Sequence, residues 1–229
     1  KLNKRILIVA AHPDDEVLGC GGTIARLAKK GHDVYISILG EGITSRFNNT
    51  EEADSKLVKE LHKRSQQVAD ILGARELFMY SLSDNRFDTV PLLDIVKIIE
   101  ELIEKVQPSI IYTHFGGDLN IDHEITNRAV LTSTRPVKSH PVKEIYAFEV
   151  PSSTEWAFGQ YRGGFNPSVF VDVSKTFDMK IKAMEIYESE SRSFPHPRSP
   201  EALDALAKYR GSTVGLRAAE SFEIVRKIE

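Results

Sequence analysis

Short apolar runs rich in β-branched residues alternate along the chain with longer stretches of helical period. Residues 5–11 (RILIVAA), 33–39 (DVYISIL), 76–81 (ELFMYS) and 109–113 (SIIYT) read as strands, the first and last apolar enough to be covered on both faces. Helical stretches lie between them. One ends near Lys30 and is stopped by Gly31, one covers about residues 51–72 and is closed by Gly73, and one covers about 92–106 between Pro91 and Pro108. A helix over about 123–133, strands at 143–150 and 169–173 and a helix over 175–189 follow, and the last third is denser in Pro, Ser, Arg and Gly. This alternation predicts βαβ units and a mostly parallel sheet, a Rossmann-like three-layer α/β/α fold. Neither repeat nor linker divides the chain, so residues 1–229 are expected to form one domain.

Composition narrows the function classes. Of the 229 residues, 41% are hydrophobic and 28% charged, which excludes a disordered or fibrous chain. Thirty Lys+Arg oppose thirty-three Asp+Glu without a basic block, which argues against a nucleic-acid partner. No apolar run approaches the roughly 18 residues of a membrane span, and no signal-peptide cleavage site follows the first strand, so a cytoplasmic protein is expected. The single cysteine, Cys20, excludes an internal disulfide and a multi-cysteine zinc site. Any metal must be held by His and carboxylates.

Open α/β sheets bind ligands beyond the carboxyl ends of their strands, and the chemistry-bearing residues cluster there. His12-Pro13-Asp14-Asp15-Glu16 follows the first strand. His12 and Asp15 lie three apart across a strand-to-helix turn, where an imidazole nitrogen and a carboxylate oxygen can meet on one ion, and Asp14 between them can face a water beside it. Capping of a helix N-terminus would account for two acids but not for a histidine with three. Gly19-Cys20-Gly21-Gly22 fits a dinucleotide fingerprint poorly, because acids fill the turn where a pyrophosphate would sit. After the fourth strand comes Asp118-Leu119-Asn120-Ile121-Asp122-His123. Its alternating Asp118, Asn120 and Asp122 suggest a calcium loop, but His123 stands where the turn glycine belongs and Ala129 where the bidentate Glu belongs. His123 as a third ligand instead gives a His-Asp-His set with an open position, suited to Zn2+ and also to Fe2+. Asp122 beside it can orient a neighbouring imidazole.

Ala11-His12-Pro13-Asp14-Asp15-Glu16 with Gly19-Cys20-Gly21-Gly22-Thr23, and Asn120-x-Asp122-His123 downstream, resembles the PIG-L/LmbE-like de-N-acetylase superfamily. The resemblance implies a zinc-dependent hydrolase that removes acetyl from N-acetylglucosamine-type sugars or glycoconjugates. It implies His12, Asp15 and His123 as metal ligands, Asp14 as general base and a homo-oligomeric assembly. Many members carry His at the position of Asn120, which can donate a hydrogen bond but not act as an acid. The proton-donating or oxyanion role then falls to another group, and His196 in Phe194-Pro195-His196-Pro197-Arg198 is expected to fill it, with His114 a weaker substitute. The competing assignment for that segment is a proline-rich surface turn.

Around the metal, Glu16, Arg46, Arg64, Asp84-Asn85-Arg86 and Asn120 are expected to contact sugar hydroxyls; each charged one can instead serve as a solvated charge or ion-pair partner. Trp156, with Phe158 and Tyr161, offers rings for a sugar face or simply packs. Two other functions stay open from the residues: cleavage of a different small amide such as a thiol conjugate, and a non-catalytic Rossmann-like module that holds a sugar or nucleotide.

Overall fold

The computed structural model describes residues 3–42, 55–137 and 140–229. Its strands are β1 (Arg5–Ala10), β2 (Asp33–Gly40), β3 (Glu76–Leu82), β4 (Ile110–His114), β5 (Glu144–Phe148), β6 (Val169–Asp172) and β7 (Ala219–Lys227). Its helices are α1 (Asp15–Lys29), α2 (Ser55–Leu72), α3 (Leu92–Val106), α4 (Ile121–Ser133), α5 (Phe177–Ile186) and α6 (Pro200–Ser212). The strands form one sheet in the order β3-β2-β1-β4-β5-β7-β6. The five strands β1 to β5 run parallel, and β7 runs antiparallel to both β5 and β6.

The period of two along β1 shows how the layers form. Ile6, Ile8 and Ala10 join one fully buried cluster with Val17, Leu18 and Ile24 of α1, Leu61, Val68 and Leu72 of α2, and Ala183 and Met184 of α5. Leu7 and Val9, and then Ala11, join a second cluster on the opposite face with Ile95, Ile99 and Leu102 of α3 and Ala129 and Val130 of α4. Burial on both faces is why these parallel strands read as continuous apolar runs. In α3 the buried positions Ile95, Val96, Ile99, Leu102, Ile103 and Val106 recur at the three- and four-residue spacing of a single face.

Two elements went unpredicted, and both lie in the last third. Helix α6 begins at Ser199, whose hydroxyl accepts from Ala202 N, with Pro200 in its first turn; these are ordinary start signals lost among neighbouring turn residues. Strand β7 (AESFEIVRK) offers neither a clean alternation nor the continuous apolar run of β1 and β4, because polar Glu220 and Ser221 lie within its buried first four residues and the rest is largely exposed. The expected strand at 143–150 shortens to Glu144–Phe148 and the helix at 175–189 to Phe177–Ile186.

The Gly19-Cys20-Gly21-Gly22 segment is explained by close packing of α1. Cys20 breaks the helical dihedrals (φ −151°), and the Glu220 carboxylate of β7 accepts from Gly22 N and Thr23 N at the start of the second helical segment. Lys180 is buried against the same carboxylate at 2.7 Å. A Cβ on Gly19 would lie 2.3 Å from the Phe148 ring. Among the described residues, no helix is long and apolar enough to cross a membrane.

Strand order changes direction between β1 and β4, with β2 and β3 on one side of β1 and β4 and β5 on the other. The carboxyl ends of adjacent parallel strands at such a switch point open a crevice. The loops after β1, β3 and β4 meet in it.

Candidate metal centre and its pocket

The loop after β1 is held rigidly. Ala11 N donates to His114 Nε2 at 2.8 Å, and His12 N donates to Asp15 Oδ2 at 2.9 Å. Asp14 takes a φ of 104°, a region an L residue rarely enters unless its surroundings impose it. Three contacts impose it here. Glu16 Oε2 accepts from Asp14 N at 3.0 Å, Tyr187 donates its hydroxyl to Glu16 Oε1 at 2.8 Å, and Arg198 Nη1 donates to Asp14 Oδ2 at 2.7 Å.

His12, Asp15 and His123 each present one donor atom to a common point, all within 4.8 Å of one another and all buried. Asp15 Oδ2 lies 3.2 Å from His12 Nδ1 and 3.2 Å from His123 Nε2. The far nitrogen of each imidazole faces a carboxylate. His12 Nε2 lies 2.9 Å from Asp122 Oδ2 and 3.1 Å from Asp84 Oδ1, while His123 Nδ1 lies 3.1 Å from Asp118 Oδ1. Such partners place the proton on the far nitrogen and turn the other lone pair inward. Both His123 nitrogens are buried without a well-formed hydrogen bond, Nδ1 close to Asp118 and Nε2 close to the Asp15 oxygen. Two inward lone pairs and a carboxylate repel one another unless a cation lies between them, so this donor set fits a divalent metal.

Electrostatics point the same way. Burial disfavours charge on His12 and His123, yet hydrogen bonds to Asp122 and Asp15 hold His12 well above its ordinary value, and Asp15 and Asp118 raise His123 to about 9. Burial acts to raise Asp15, but the charge of His123 and hydrogen bonds from His12 and His123 outweigh it and hold that carboxyl well below the usual range. The cage therefore calls for positive charge, which protons supply when no metal is bound. Burial pushes Asp14 upward against the opposing Arg198 guanidinium, and raises Glu16 to about 7 against the Tyr187 hydroxyl.

Supporting groups complete the shell. Asp122 is fully buried, and its Oδ1 accepts from Phe87 N at 2.9 Å, so it ties His12 to the 3₁₀ turn Phe87–Thr89. Asp118 accepts from the hydroxyls of Ser153 and Thr154 and from Asn120 N. His114 stacks on His123 with ring centroids 4.0 Å apart and, by accepting from Ala11 N at Nε2, is a neutral spacer rather than a proton donor.

The centre opens into a cavity of about 210 Å³ whose walls include Asp14, Asp84, Asn85, Asn120, Ser152 and Arg198. Asn85 and Asn120 thus stand where sugar contacts were expected, although Asn120 also caps α4, its Oδ1 accepting from Asp122 N at 2.9 Å. Glu16 lies beneath the Asp14 loop and is absent from the cavity wall. Arg64 sits on a different groove, between α2 and α5, with Glu60 and Glu188 within 3.5 and 3.7 Å. Arg46 lies outside the described residues. From the segment expected to deliver His196, the side chain that reaches Asp14 is Arg198. The His196 ring abuts Trp156, and its Nδ1 accepts from Arg198 N at 3.1 Å. Asp84 was expected only as a sugar contact and Asp118 only as part of the calcium-like alternation, and Arg198 was given no role of its own.

Residues 7–134, more than half of the chain, match the PIG-L family, GlcNAc-PI de-N-acetylase. The chain belongs to that family. It is 25% identical over 227 residues to the diacetylchitobiose deacetylase of Thermococcus kodakarensis, covering 97% of this chain and 83% of the relative. In three dimensions it resembles the N,N'-diacetylchitobiose deacetylase of Pyrococcus horikoshii (TM-score 0.76, 22% identity, 97% of this chain and 84% of that one). It also resembles GalB, the 4-carboxy-2-hydroxymuconate hydratase of Pseudomonas putida KT2440 (TM-score 0.74, 22% identity, 99% and 98%). Proteins with different reactions share this fold, so the reaction must be argued from the site.

Proposed function

We propose that the chain is a metal-dependent N-deacetylase, acting as one domain, which releases acetate from the N-acetyl group of an N-acetylglucosamine-type sugar or glycoconjugate. The observation that carries this reading is the convergence of His12, Asp15 and His123 at the cavity floor with Asp14 beside them. Deacetylases among its relatives support it.

An amide resists hydrolysis because its carbonyl is a weak electrophile and its amine a poor leaving group. Zinc, with ferrous iron compatible with the same donors, supplies Lewis-acid polarisation of the acetyl oxygen and acidifies water. Asp14 is the base. Arg198 occupies its Oδ2, which leaves Oδ1 to take a proton from the attacking water and return it to the departing amine. Asp122 and Asp118 keep the two imidazoles in the ligating tautomer, and Asn85 and Asn120 offer amides to sugar hydroxyls. His196 assists at the leaving amine on this proposal, and its alanine variant tests the point. A fall in kcat beyond about 10²-fold with metal retained places the imidazole in proton transfer, and a smaller fall assigns it to holding its loop.

The decisive experiment combines metal analysis of the purified protein with a free-amine assay on N-acetylglucosamine derivatives, before and after chelation. Near one metal per chain with chelator-sensitive amine release is expected, and Asp14→Asn should lower turnover about 10²- to 10⁴-fold with metal content unchanged. Full activity in Asp14→Asn would refute the base assignment. No metal after reconstitution would favour a non-catalytic binding module, and amine release from thiol conjugates alone would move the substrate to another amide.

A further inference from the structure

Glu16 and Tyr187 are buried titratable groups that the reaction described above does not use. Tyr187 directly follows α5 and is fully buried within the apolar cluster on the α1 face of the sheet, and Glu16 is 1% exposed. A phenol and a carboxylate are costly in such a place unless each has partners, and here the partners form a line. Ser65 of α2, also buried, donates its hydroxyl to Leu61 O at 3.0 Å and lies 3.0 Å from the Tyr187 hydroxyl. The Tyr187 proton goes to the stronger acceptor, Glu16 Oε1 at 2.8 Å, and Glu16 Oε2 accepts from Asp14 N at 3.0 Å. Neither Glu16 nor Tyr187 lines the cavity. The line ends on Asp14, whose φ of 104° and ψ of −30° fall outside even the small left-handed region that Asp and Asn visit. An L residue stays there only while its surroundings over-determine it. Arg198 holds one oxygen of the Asp14 carboxylate, but a bond to the side chain does not fix the main chain.

We infer that Tyr187 is a positioning residue for the base: by holding the Glu16 carboxylate against Asp14 N, it fixes the main-chain conformation that presents the Asp14 carboxylate to the cavity. The inference rests on the deacetylase reading above. The rival account is a helix start, since Glu16 lies in the first turn of α1, where a carboxylate bonded to an N–H stabilises the helix whatever the reaction. That account predicts lost stability with kcat intact.

Tyr187→Phe removes one oxygen and keeps the packing. In the metal-loaded enzyme it should lower kcat about tenfold with KM and the zinc Kd within about twofold, because displacing a reacting group by about 1 Å costs up to about 10²-fold. Glu16→Leu should lower kcat at least as far. Glu16→Gln should recover most of that loss, since its amide oxygen can accept from Asp14 N while its NH2 group donates to the Tyr187 oxygen, which turns its proton to Ser65. Because Tyr187 acts through Glu16, adding Tyr187→Phe to Glu16→Leu should cost nothing further in kcat. Additive losses in the double variant, a loss carried by KM or by zinc affinity, or an unchanged kcat in Tyr187→Phe overturns the inference. Amide hydrogen exchange read by NMR measures the same clamp without the reaction. The Asp14 N–H should exchange about tenfold faster in metal-loaded Tyr187→Phe than in the parent, and an unchanged rate refutes the positioning even if Glu16→Leu fails to fold. Faster exchange in a protein that releases no amine from any acetylated sugar would sink the deacetylase reading and leave the positioning standing.

Discussion

Replacing Asp122 separates metal binding from folding, because its two oxygens do different things. Oδ2 faces His12 Nε2 at 2.9 Å and Oδ1 accepts from Phe87 N at 2.9 Å, with the side chain fully buried. In Asp122→Asn the amide oxygen can keep the Phe87 bond, but an N–H group then meets the N–H of His12. Relief comes from the other His12 tautomer, whose proton on Nδ1 blocks the lone pair that faces the metal point. Loss of such a supporting partner lowers metal affinity about 10- to 100-fold, or about 1.4–2.8 kcal/mol. Asp84, 3.1 Å from the same nitrogen, can still accept from it and favours the lower end of that range. Asp122→Ala differs. It leaves the Phe87 N–H unsatisfied at about 1–3 kcal/mol, while the His12 N–H keeps Asp84 as acceptor, so the apoprotein itself should lose about 1–3 kcal/mol. Competition against a chromophoric chelator measures the zinc Kd, and urea denaturation of the apoprotein measures stability. An Asn variant that binds zinc as tightly as the parent would refute the claim that Asp122 sets the His12 tautomer.

Other consequences are testable in the same way. Glu220→Ala should cost about 3–5 kcal/mol in urea denaturation, since it strands the buried Lys180 ammonium and leaves the Gly22 and Thr23 N–H groups unpaired; a loss below about 1 kcal/mol would show that the pair is not structural. Gly19→Ala places a methyl carbon into the Phe148 ring and should destabilise by about 1–3 kcal/mol, whereas unchanged stability would mean that α1 can lift off the sheet without strain. Zinc at about 100 times its Kd should stabilise the wild-type chain by about 2.7 kcal/mol, and this gain should vanish in His123→Ala. An equal gain in both proteins would place the bound zinc elsewhere.

The chain by itself announced its layers and the three residues proposed here as metal ligands. Parallel strands buried on both faces leave continuous runs of Ile, Leu and Val, so β1 and β4 stood out; His12 and Asp15 lie just past the end of β1, and His123 in the first turn of the helix after β4. The antiparallel β7 and helix α6 carry weaker patterns and were not foreseen. Which carboxylate serves which imidazole was decided only by tertiary structure. Asp84 and Asp122 reach His12 because β1 lies among the strands whose loops bear them, and that adjacency depends on strand order, which no local period encodes. The same holds for Asp14, the proposed base. Nothing around Arg198 distinguishes it from a surface arginine until the segment before α6 folds back over the β1 loop and sets its guanidinium 2.7 Å from Asp14, where it opposes the rise that burial imposes on that carboxyl. Ligand identity is local chemistry written in residue type and spacing, whereas orientation and charge balance depend on groups far apart in the chain, brought within a few ångströms by packing.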